Sequence, residues 1–241
     1  MTDQAMNVVL AYIAVCGGPI TDDYVARFVT TWREYPPGTD HDTLVIGNGG
    51  PLSTSVNLML SQMGARMFIR SNEGWDIGGY LEAARGPCAH YDAMLCCGES
   101  VYFHRAGWLL RLCEAWSRNG AGMYSPFSSN AVRAHLNTTA FFCSPKLLQH
   151  YPKHVYDRWT RYEFEHGERA LWRRANEQKM PVRLVTWDGE WEPFRWRMPR
   201  NILWRGDQTN LLCWCNHTEA YANANRKTQA EWARRADAPF R

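Results

Sequence analysis

Long hydrophobic runs are missing from this chain of 241 residues. The most apolar early stretch, residues 8–16, is far shorter than the roughly 20 residues that a membrane-spanning helix needs. The N-terminus carries Asp3 and no early Lys or Arg, so it does not match a secretory signal. We therefore expect a cytoplasmic protein without a membrane span.

Motifs of several common enzyme classes are also missing. No G-x-G-x-x-G or P-loop pattern occurs, which weakens the dinucleotide-binding and NTPase interpretations. No G-x-S-x-G occurs either, which weakens the α/β-hydrolase interpretation. The chain has no internal repeat, linker or low-complexity segment, and its length fits one domain.

Charge of one sign is in small excess only, with a net charge of +3. Residues 1–150 hold 10 Lys/Arg against 12 Asp/Glu, whereas residues 151–241 hold 17 against 12 and eight of the twelve tryptophans. A basic, Trp-rich second half suits an anionic or sugar-like ligand, because aromatic faces stack on sugars and bases. Solvated arginines at a packed sheet edge explain the same composition equally well.

The eight cysteines lack the paired C-x-x-C spacing of common zinc sites. Most lie in apolar runs, where free cysteine acts as a small buried hydrophobe, so we expect free thiols in a reducing compartment. A zinc site built from Cys213, Cys215 and His217, completed by Cys96 and Cys97, is a minor alternative.

The apolar pattern predicts four successive strand–helix units in the first half of the chain. The predicted strands are 8–15, 43–46, 66–70 and 91–97, and the predicted helices are 21–35, 53–64, 76–85 and 106–119. The second half is less regular, with strands predicted at 138–143, 182–187 and 211–214 and helices at 162–178 and 228–235. This alternation favours a parallel, doubly wound α/β sheet.

Two acids follow the third and fourth predicted strands. Asp76 comes after the loop that ends the strand at 66–70, and Glu99 comes directly after the strand at 91–97. In an open α/β sheet, ligands bind outside the carboxyl ends of the strands. We therefore expect Asp76 and Glu99 to face one crevice, together with the glycine-containing loops at residues 16–18 and 47–49.

Three motifs occur in a characteristic order: Asn72-Glu-Gly-Trp-Asp-Ile-Gly-Gly, Cys97-Gly-Glu-Ser and Gly206-Asp-Gln. Together they resemble the nucleotide-sugar-dependent glycosyltransferases of the GT-A fold, and most closely the bacterial and viral polysaccharide-type enzymes. The resemblance spans residues 8–221. It implies a GT-A-like, Rossmann-related, mostly parallel sheet with helices on both faces. It also implies one domain, with a nucleotide-binding half at 1–125 and an acceptor-side half at 126–241.

The resemblance implies an enzyme that moves a sugar from a nucleotide-diphosphate donor to a hydroxyl acceptor, such as a saccharide. The residues that it places against the donor are Cys16, Gly17, Asn48, Asn72, Asp76 and Gln208. For Asp76, capping of the following helix is an alternative role.

The segment containing Glu99 lies where the family carries its Asp-x-Asp, which binds Mg²⁺ or Mn²⁺. Only one acid remains here, so a metal site would have few ligands from the protein. The family's late histidine corresponds to His217, and an ordinary surface histidine is the alternative. A metal-free enzyme that stabilises the diphosphate with Arg or His also fits.

Asp207 is the first candidate for the general base, because the family's Gly-Asp-Gln aspartate lies near the acceptor. A helix cap is the alternative for Asp207. Glu163 or Glu165 could act as the base instead, and their spacing puts them on different helix faces. Two other functions stay open: a non-catalytic module that binds nucleotide or glycan, and a transferase acting on modified DNA bases.

Overall fold

The structure is a computed structural model of the chain, and it describes residues 6–18, 20–130, 132–196, 198 and 203–236. The strands in these ranges are β1 (Val8–Val15), β2 (Asp42–Asn48), β3 (Arg66–Arg70), β4 (Ala93–Cys97), β5 (Met123–Ser125), β6 (Ser128–Ser129), β7 (His135–Leu136), β8 (Ala140–Cys143), β9 (Val182–Val185) and β10 (Glu190–Trp191). The helices are α1 (Thr21–Glu34), α2 (Thr54–Ser61), α3 (Trp75–Arg85), α4 (Trp108–Asn119), α5 (Pro145–Gln149), α6 (Arg158–Glu165), α7 (Leu171–Glu177), α8 (Asn216–Asn223) and α9 (Arg226–Ala236). A short 3-10 helix covers Pro193–Arg195.

Eight of these strands form one mixed sheet in the order β10-β9-β5-β8-β4-β1-β2-β3. The four strands β3, β2, β1 and β4 run parallel to one another. β8 runs antiparallel to both of its neighbours, β4 and β5. The mostly parallel α/β sheet that the resemblance implies is confirmed, whereas the parallel sheet favoured by the strand–helix alternation holds for the first four strands.

The central strand β1 shows why the sheet is covered on both faces. Its sequence is Val-Val-Leu-Ala-Tyr-Ile-Ala-Val, and its first seven residues are buried. Leu10 and Tyr12 pack into one hydrophobic cluster, which also contains Phe28 of α1, whereas Ala11 and Ile13 pack into a second cluster. Because side chains alternate along a strand, a continuous apolar run supplies both cores.

The single helix predicted for residues 162–178 is wrong, because the structure has two helices there, α6 and α7. Asp157 begins α6 through a capping box with Thr160. The helix ends at His166–Gly167, where a Cβ on Gly167 would lie 2.5 Å from the Glu163 carboxylate. A glycine at this position therefore leaves room for the Glu163 carboxylate beside the end of α6, which the hydrophobic pattern does not show.

The strand predicted at residues 211–214 is also wrong. The segment forms two isolated bridges, Leu211 with Thr186 and Trp214 with Tyr102. These partners lie in different parts of the chain, so no ladder can extend along the segment. None of the described helices is long and apolar enough to cross a membrane.

Candidate functional site

The antiparallel direction of β8 determines what faces the carboxyl ends of the parallel strands. The residues that precede β8 lie at the same edge of the sheet as the residues that follow β4. The Gly98 N–H donates a hydrogen bond to the Thr139 carbonyl oxygen at 2.7 Å. The loop before β8 therefore forms one wall of any site at this edge.

A cavity of about 190 Å³ opens at this edge. Its lining residues are Tyr24, Asp76, Gly98, Glu99, Ser100, Thr139, Arg161, Asn216 and His217. Asp76 and Glu99 therefore share one crevice, as the strand–helix order predicts, whereas residues 16–18 and 47–49, expected there too, are not among the lining residues.

A second cavity of about 190 Å³ shares Thr139, Arg161 and His217 with the first. Its other lining residues are Ser129, Val132, His135, Asn137, Glu165, His166, Leu203 and Trp204. We refer to the two cavities together as the crevice. It joins the ends of the parallel strands to α6 and to the start of α8.

Glu99 is fixed from two sides by β1. Its Oε1 accepts a hydrogen bond from the Val15 N–H at 3.0 Å, and its carbonyl oxygen accepts one from the Tyr12 hydroxyl at 2.7 Å. Burial raises the pKa of Glu99, whereas hydrogen bonds from the Val15 N–H and the Thr21 hydroxyl oppose that rise. A partly desolvated carboxylate of this kind is stabilised by a nearby cation.

Asp76 lies in the first turn of α3, two residues after the N-cap Gly74. Its Oδ1 accepts a hydrogen bond from the Ile77 N–H at 3.0 Å. Burial raises the pKa of Asp76, the positive charge of Arg161 opposes that rise, and the charge of Glu165 adds to it. Because Gly74 occupies the capping position, Asp76 is not the N-cap residue.

Arg161 stands between two carboxylates of the crevice. Its Nη2 lies 3.9 Å from Asp76 Oδ2, and its Nε lies 3.7 Å from Glu165 Oε2. Both distances are too long for direct hydrogen bonds, so the guanidinium balances charge without being locked. Among the described residues that line the crevice, Arg161 is the one arginine or lysine.

Three histidines line the crevice, and burial lowers the pKa of each. The pKa of His135 falls to about 3, because burial and the neighbouring His166 both disfavour its charged form. The rings of His135 and His166 lie 4.0 Å apart in a T-shaped arrangement. For His166 and His217, the negative charge of Glu165 opposes the effect of burial. All three imidazoles are therefore neutral near pH 7.

The two glutamates of α6 lie on different faces, as their spacing predicts. Glu165 lines the crevice, and its Oε1 accepts a hydrogen bond from the Thr138 hydroxyl. Glu163 lies against Gly167, and its charge contributes to the raised pKa of Tyr151 after the larger effect of burial. Of these two candidates, Glu165 has the position of a catalytic group.

The loops that follow β1 and β3 are accessible. Cys16 is half-buried, its thiol donates to the Gly50 carbonyl oxygen at 2.5 Å, and burial raises its pKa. Gly17 is exposed with a φ of +73°, a conformation that favours glycine. Asn72 is exposed after β3. Their backbone and side chains can approach a ligand from the β1–β3 side.

Asn48 does not have the exposed position that a contact with the donor nucleotide requires. Its side chain is 0% exposed. The amide donates to the Trp75 carbonyl oxygen at 3.0 Å and accepts from Arg70 Nη1 at 2.9 Å. Asn48 therefore holds the first residue of α3 in place, which positions Asp76 indirectly.

The Gly206-Asp-Gln segment also differs from expectation. Asp207 is exposed, and its Oδ1 accepts hydrogen bonds from the Thr209 N–H at 3.1 Å and hydroxyl at 2.7 Å. Gln208 is 2% exposed and donates to the Arg205 carbonyl oxygen. Neither residue lines the crevice among the described residues, and a turn follows Asp207 rather than a helix.

The metal expectation rests on Glu99 and His217, which line the same cavity. Among the described residues, no group of three or more His, Cys, Asp or Glu side chains could hold a metal ion. The donors present, one carboxylate and one neutral imidazole, fit a divalent cation that takes its other ligands from a diphosphate. The same finding counts against the zinc alternative at Cys96, Cys97, Cys213, Cys215 and His217. All eight cysteines of the chain are free of disulfides, and seven of them are buried.

Sequence reasoning did not single out Arg161 or Thr139. Arg161 and Glu165 are separated by one helical turn on α6, and this spacing was the available signal. Nothing in the local pattern around Thr139 shows that β8 reverses direction.

A larger cavity of about 650 Å³ lies at the opposite end of the sheet, near Asp92, Lys146 and His150. It lacks the three carboxylates that converge in the crevice.

No protein-family model matches the chain, and no curated protein sequence matches it. Among solved structures, a cytidylyltransferase from Leptospira borgpetersenii serovar Hardjo-bovis is 15% identical with a TM-score of 0.46, covering 73% of this chain and 74% of that one. A mannosyltransferase from Pyrobaculum calidifontis in complex with GDP-Man and Mn²⁺ is 8% identical with a TM-score of 0.44, covering 61% and 48%. TarS from S. aureus in complex with UDP-GlcNAc is 11% identical with a TM-score of 0.44, covering 60% and 47%.

By their descriptions, these solved structures include a nucleotidyltransferase and a glycosyltransferase. The chain covers less than half the length of the mannosyltransferase chain and of the TarS chain. At these identities and TM-scores, the likenesses assign no activity to the chain.

Proposed function

We propose that this chain is a glycosyltransferase that uses a nucleotide-diphosphate sugar and a hydroxyl acceptor. The observation that supports it is the convergence of Asp76, Glu99, Arg161 and Glu165 in one crevice at the carboxyl ends of parallel strands. Ligands of open α/β sheets bind at this edge. Two of the three sequence motifs reach this crevice, through Asp76 and Glu99, and support the same activity.

The charges of the crevice favour a donor that arrives with a cation. Among the described residues that line the crevice, Asp76, Glu99 and Glu165 supply three carboxylates, against the one guanidinium of Arg161. A diphosphate alone would be repelled at this site. Glu99 and His217 would hold Mg²⁺ or Mn²⁺, which would neutralise charge on the leaving diphosphate. Arg161 adds positive charge on the α6 side.

The proposed reaction needs a base on the acceptor side. The acceptor hydroxyl oxygen forms a bond to the anomeric carbon while the bond from that carbon to the diphosphate oxygen breaks. The nucleoside diphosphate leaves with the electron pair of the broken bond. The hydroxyl proton passes to Glu165, whose carboxylate is positioned by the Thr138 hydroxyl. We assign this role to Glu165 rather than Asp207 because Glu165 lines the crevice.

A non-catalytic binding module is the second candidate. It is favoured by the single acid that remains in the segment 97–100, where the family carries two. Such a module would bind a nucleotide sugar without consuming it.

The experiment is a product assay with the purified chain, Mn²⁺ and a panel of UDP, GDP and dTDP sugars. Release of nucleoside diphosphate, lost in Glu165→Gln and retained in Asp207→Asn, is the expected result. Binding of a nucleotide sugar without any release would support the binding module. Release of pyrophosphate from a nucleoside triphosphate and a sugar phosphate would indicate nucleotidyl transfer and contradict the proposal.

A further inference from the structure

A line of aromatic rings, exposed at Trp159 and partly buried at Tyr162 and His166, leads along α6 to the crevice. Trp159 is 63% exposed and Tyr156 is 59% exposed, which is unusual for large aromatic side chains. The rings of Trp159 and Tyr162 stack with centroids 5.5 Å apart and planes 20° apart. Tyr162 in turn lies 5.3 Å from the ring of His166, which lines the crevice.

The helix itself explains this alignment. Trp159 and Tyr162 follow the i, i+3 spacing that places side chains on one face of α6, and His166 is the C-cap residue directly after the helix. From Trp159 to His166 the rise is on the order of 10 Å, at about 1.5 Å per residue. This length exceeds one sugar ring. We call Trp159, Tyr162 and His166 the aromatic ladder.

We propose that the aromatic ladder is a binding subsite for a neutral oligosaccharide, which it guides with one end toward Glu165. Aromatic faces stack on the apolar faces of sugar rings, and this contact does not require one particular sugar. The ladder ends at His166, which lines the crevice, so a saccharide bound along the ladder would have one end in the crevice. This inference rests on the proposed function, because it names the acceptor class of the same site.

The local charge favours a saccharide over a nucleic acid. Residues 153–169, which contain the ladder, hold four Lys/Arg and four Asp/Glu. A nucleic-acid surface requires an excess of positive charge to neutralise phosphates. The ladder region has none, although the second half of the chain as a whole is basic.

The ladder is suited to a test by substitution because Trp159 contributes little to the core. Trp159→Ala and Tyr162→Ala are compared with Phe194→Ala, which removes an aromatic side chain that is 88% exposed and lies outside the crevice lining. Binding of cellotetraose, chitotetraose, maltotetraose and mannotetraose is measured by ligand-observed NMR on the full chain. Thermal unfolding of each variant is measured alongside.

We expect at least one tetrasaccharide to bind, with Kd weakened roughly tenfold in each ladder variant and unchanged in Phe194→Ala, the size expected for losing one stacked ring. Equal binding by wild type and the ladder variants, or no binding of any tetrasaccharide, would overturn the inference. Binding of an eight-nucleotide single-stranded DNA with a steep salt dependence, lost in Trp159→Ala, would overturn it in favour of nucleic acid.

Failure of the ladder and failure of the proposed function give different results. Ladder-dependent saccharide binding without release of nucleoside diphosphate would support the subsite and contradict the proposed transferase activity. Release of nucleoside diphosphate, with ladder variants that bind saccharide as the wild type does, would support the transferase activity and contradict the subsite.

Discussion

Glu99 Oε1 accepts a hydrogen bond from the Val15 backbone N–H at 3.0 Å, which ties the end of β4 to the end of β1. The two strands are neighbours in the parallel part of the sheet. The carboxylate is therefore held at a fixed point of the crevice before any ligand binds.

As the pH falls, binding of the donor with Mn²⁺ should weaken at a higher pH than it would if Glu99 had the pKa of an ordinary glutamate. Burial raises the pKa of Glu99, so the carboxylate takes up its proton earlier as the pH falls. We expect the Kd of a nucleoside diphosphate with Mn²⁺ to rise as the pH falls through this raised pKa. Calorimetric titration across pH 4–8 measures it, and a flat profile in the wild type would exclude Glu99 from the cation site.

Glu99→Gln should lose cation-dependent binding without losing stability. The folded-state pKa of Glu99 is raised, so its ionised form disfavours folding near pH 7, and wild-type stability rises as the pH falls through that pKa. Glutamine keeps an oxygen that can accept from Val15. We expect the Tm of the variant at pH 7 to equal or exceed that of the wild type, with the difference shrinking at acid pH. A clearly lower Tm at pH 7 would contradict this account.

Glu165→Gln should lower turnover by roughly 10²–10⁴-fold with near-normal donor binding, since it removes the proposed base and keeps the size of the side chain. Asp207→Asn is the control, because Asp207 is exposed and bonded to Thr209. We expect its turnover to stay near that of the wild type. The opposite pattern would return the catalytic role to Asp207.

Arg161→Gln should weaken nucleoside diphosphate binding by about 10- to 100-fold, because one charge-assisted contact is lost. Arg158→Gln on the same helix is the matched control, since Arg158 is exposed and does not line the crevice. Equal Kd values for the two variants would show that Arg161 balances Asp76 and Glu165 and does not contact the ligand.

Gly74→Ala should destabilise the protein more than Gly107→Ala. Both glycines have a positive φ, +70° and +85°, which costs other residues on the order of 1–3 kcal/mol. A Cβ on Gly74 would also lie 2.1 Å from the Val155 carbonyl oxygen, whereas one on Gly107 would meet nothing within 4 Å. Urea unfolding of both variants measures the difference, and equal losses would show that the clash is relieved by movement of the loop.

The first half of the chain was predictable because its signals are local. The bounds of β1 and β3 agree with the predicted strands, and α3 and α4 begin within two residues of the predicted starts. Apolar β-branched runs closed by glycine and proline report strands without any tertiary information. The shared crevice of Asp76 and Glu99 followed from strand order alone.

The second half was less predictable because its elements depend on distant partners. β5 has only three residues and is stabilised by pairing with β8 and β9. No local sequence pattern therefore predicts it. The break between α6 and α7 depends on Gly167 beside Glu163. Burial of Asn48 depends on Arg70 and the Trp75 carbonyl, which a single strand end does not reveal.

By itself the sequence determined a parallel α/β half whose acids follow its strands, since periodicity and turn residues act over a few residues. Only the tertiary structure decided that Arg161 and Glu165 complete the crevice and that Asp207 lies outside it. Those positions depend on the reversed direction of β8 and on the docking of α6 beside α3. Both are long-range packing choices that bring together side chains more than 80 residues apart, as with Asp76 and Arg161.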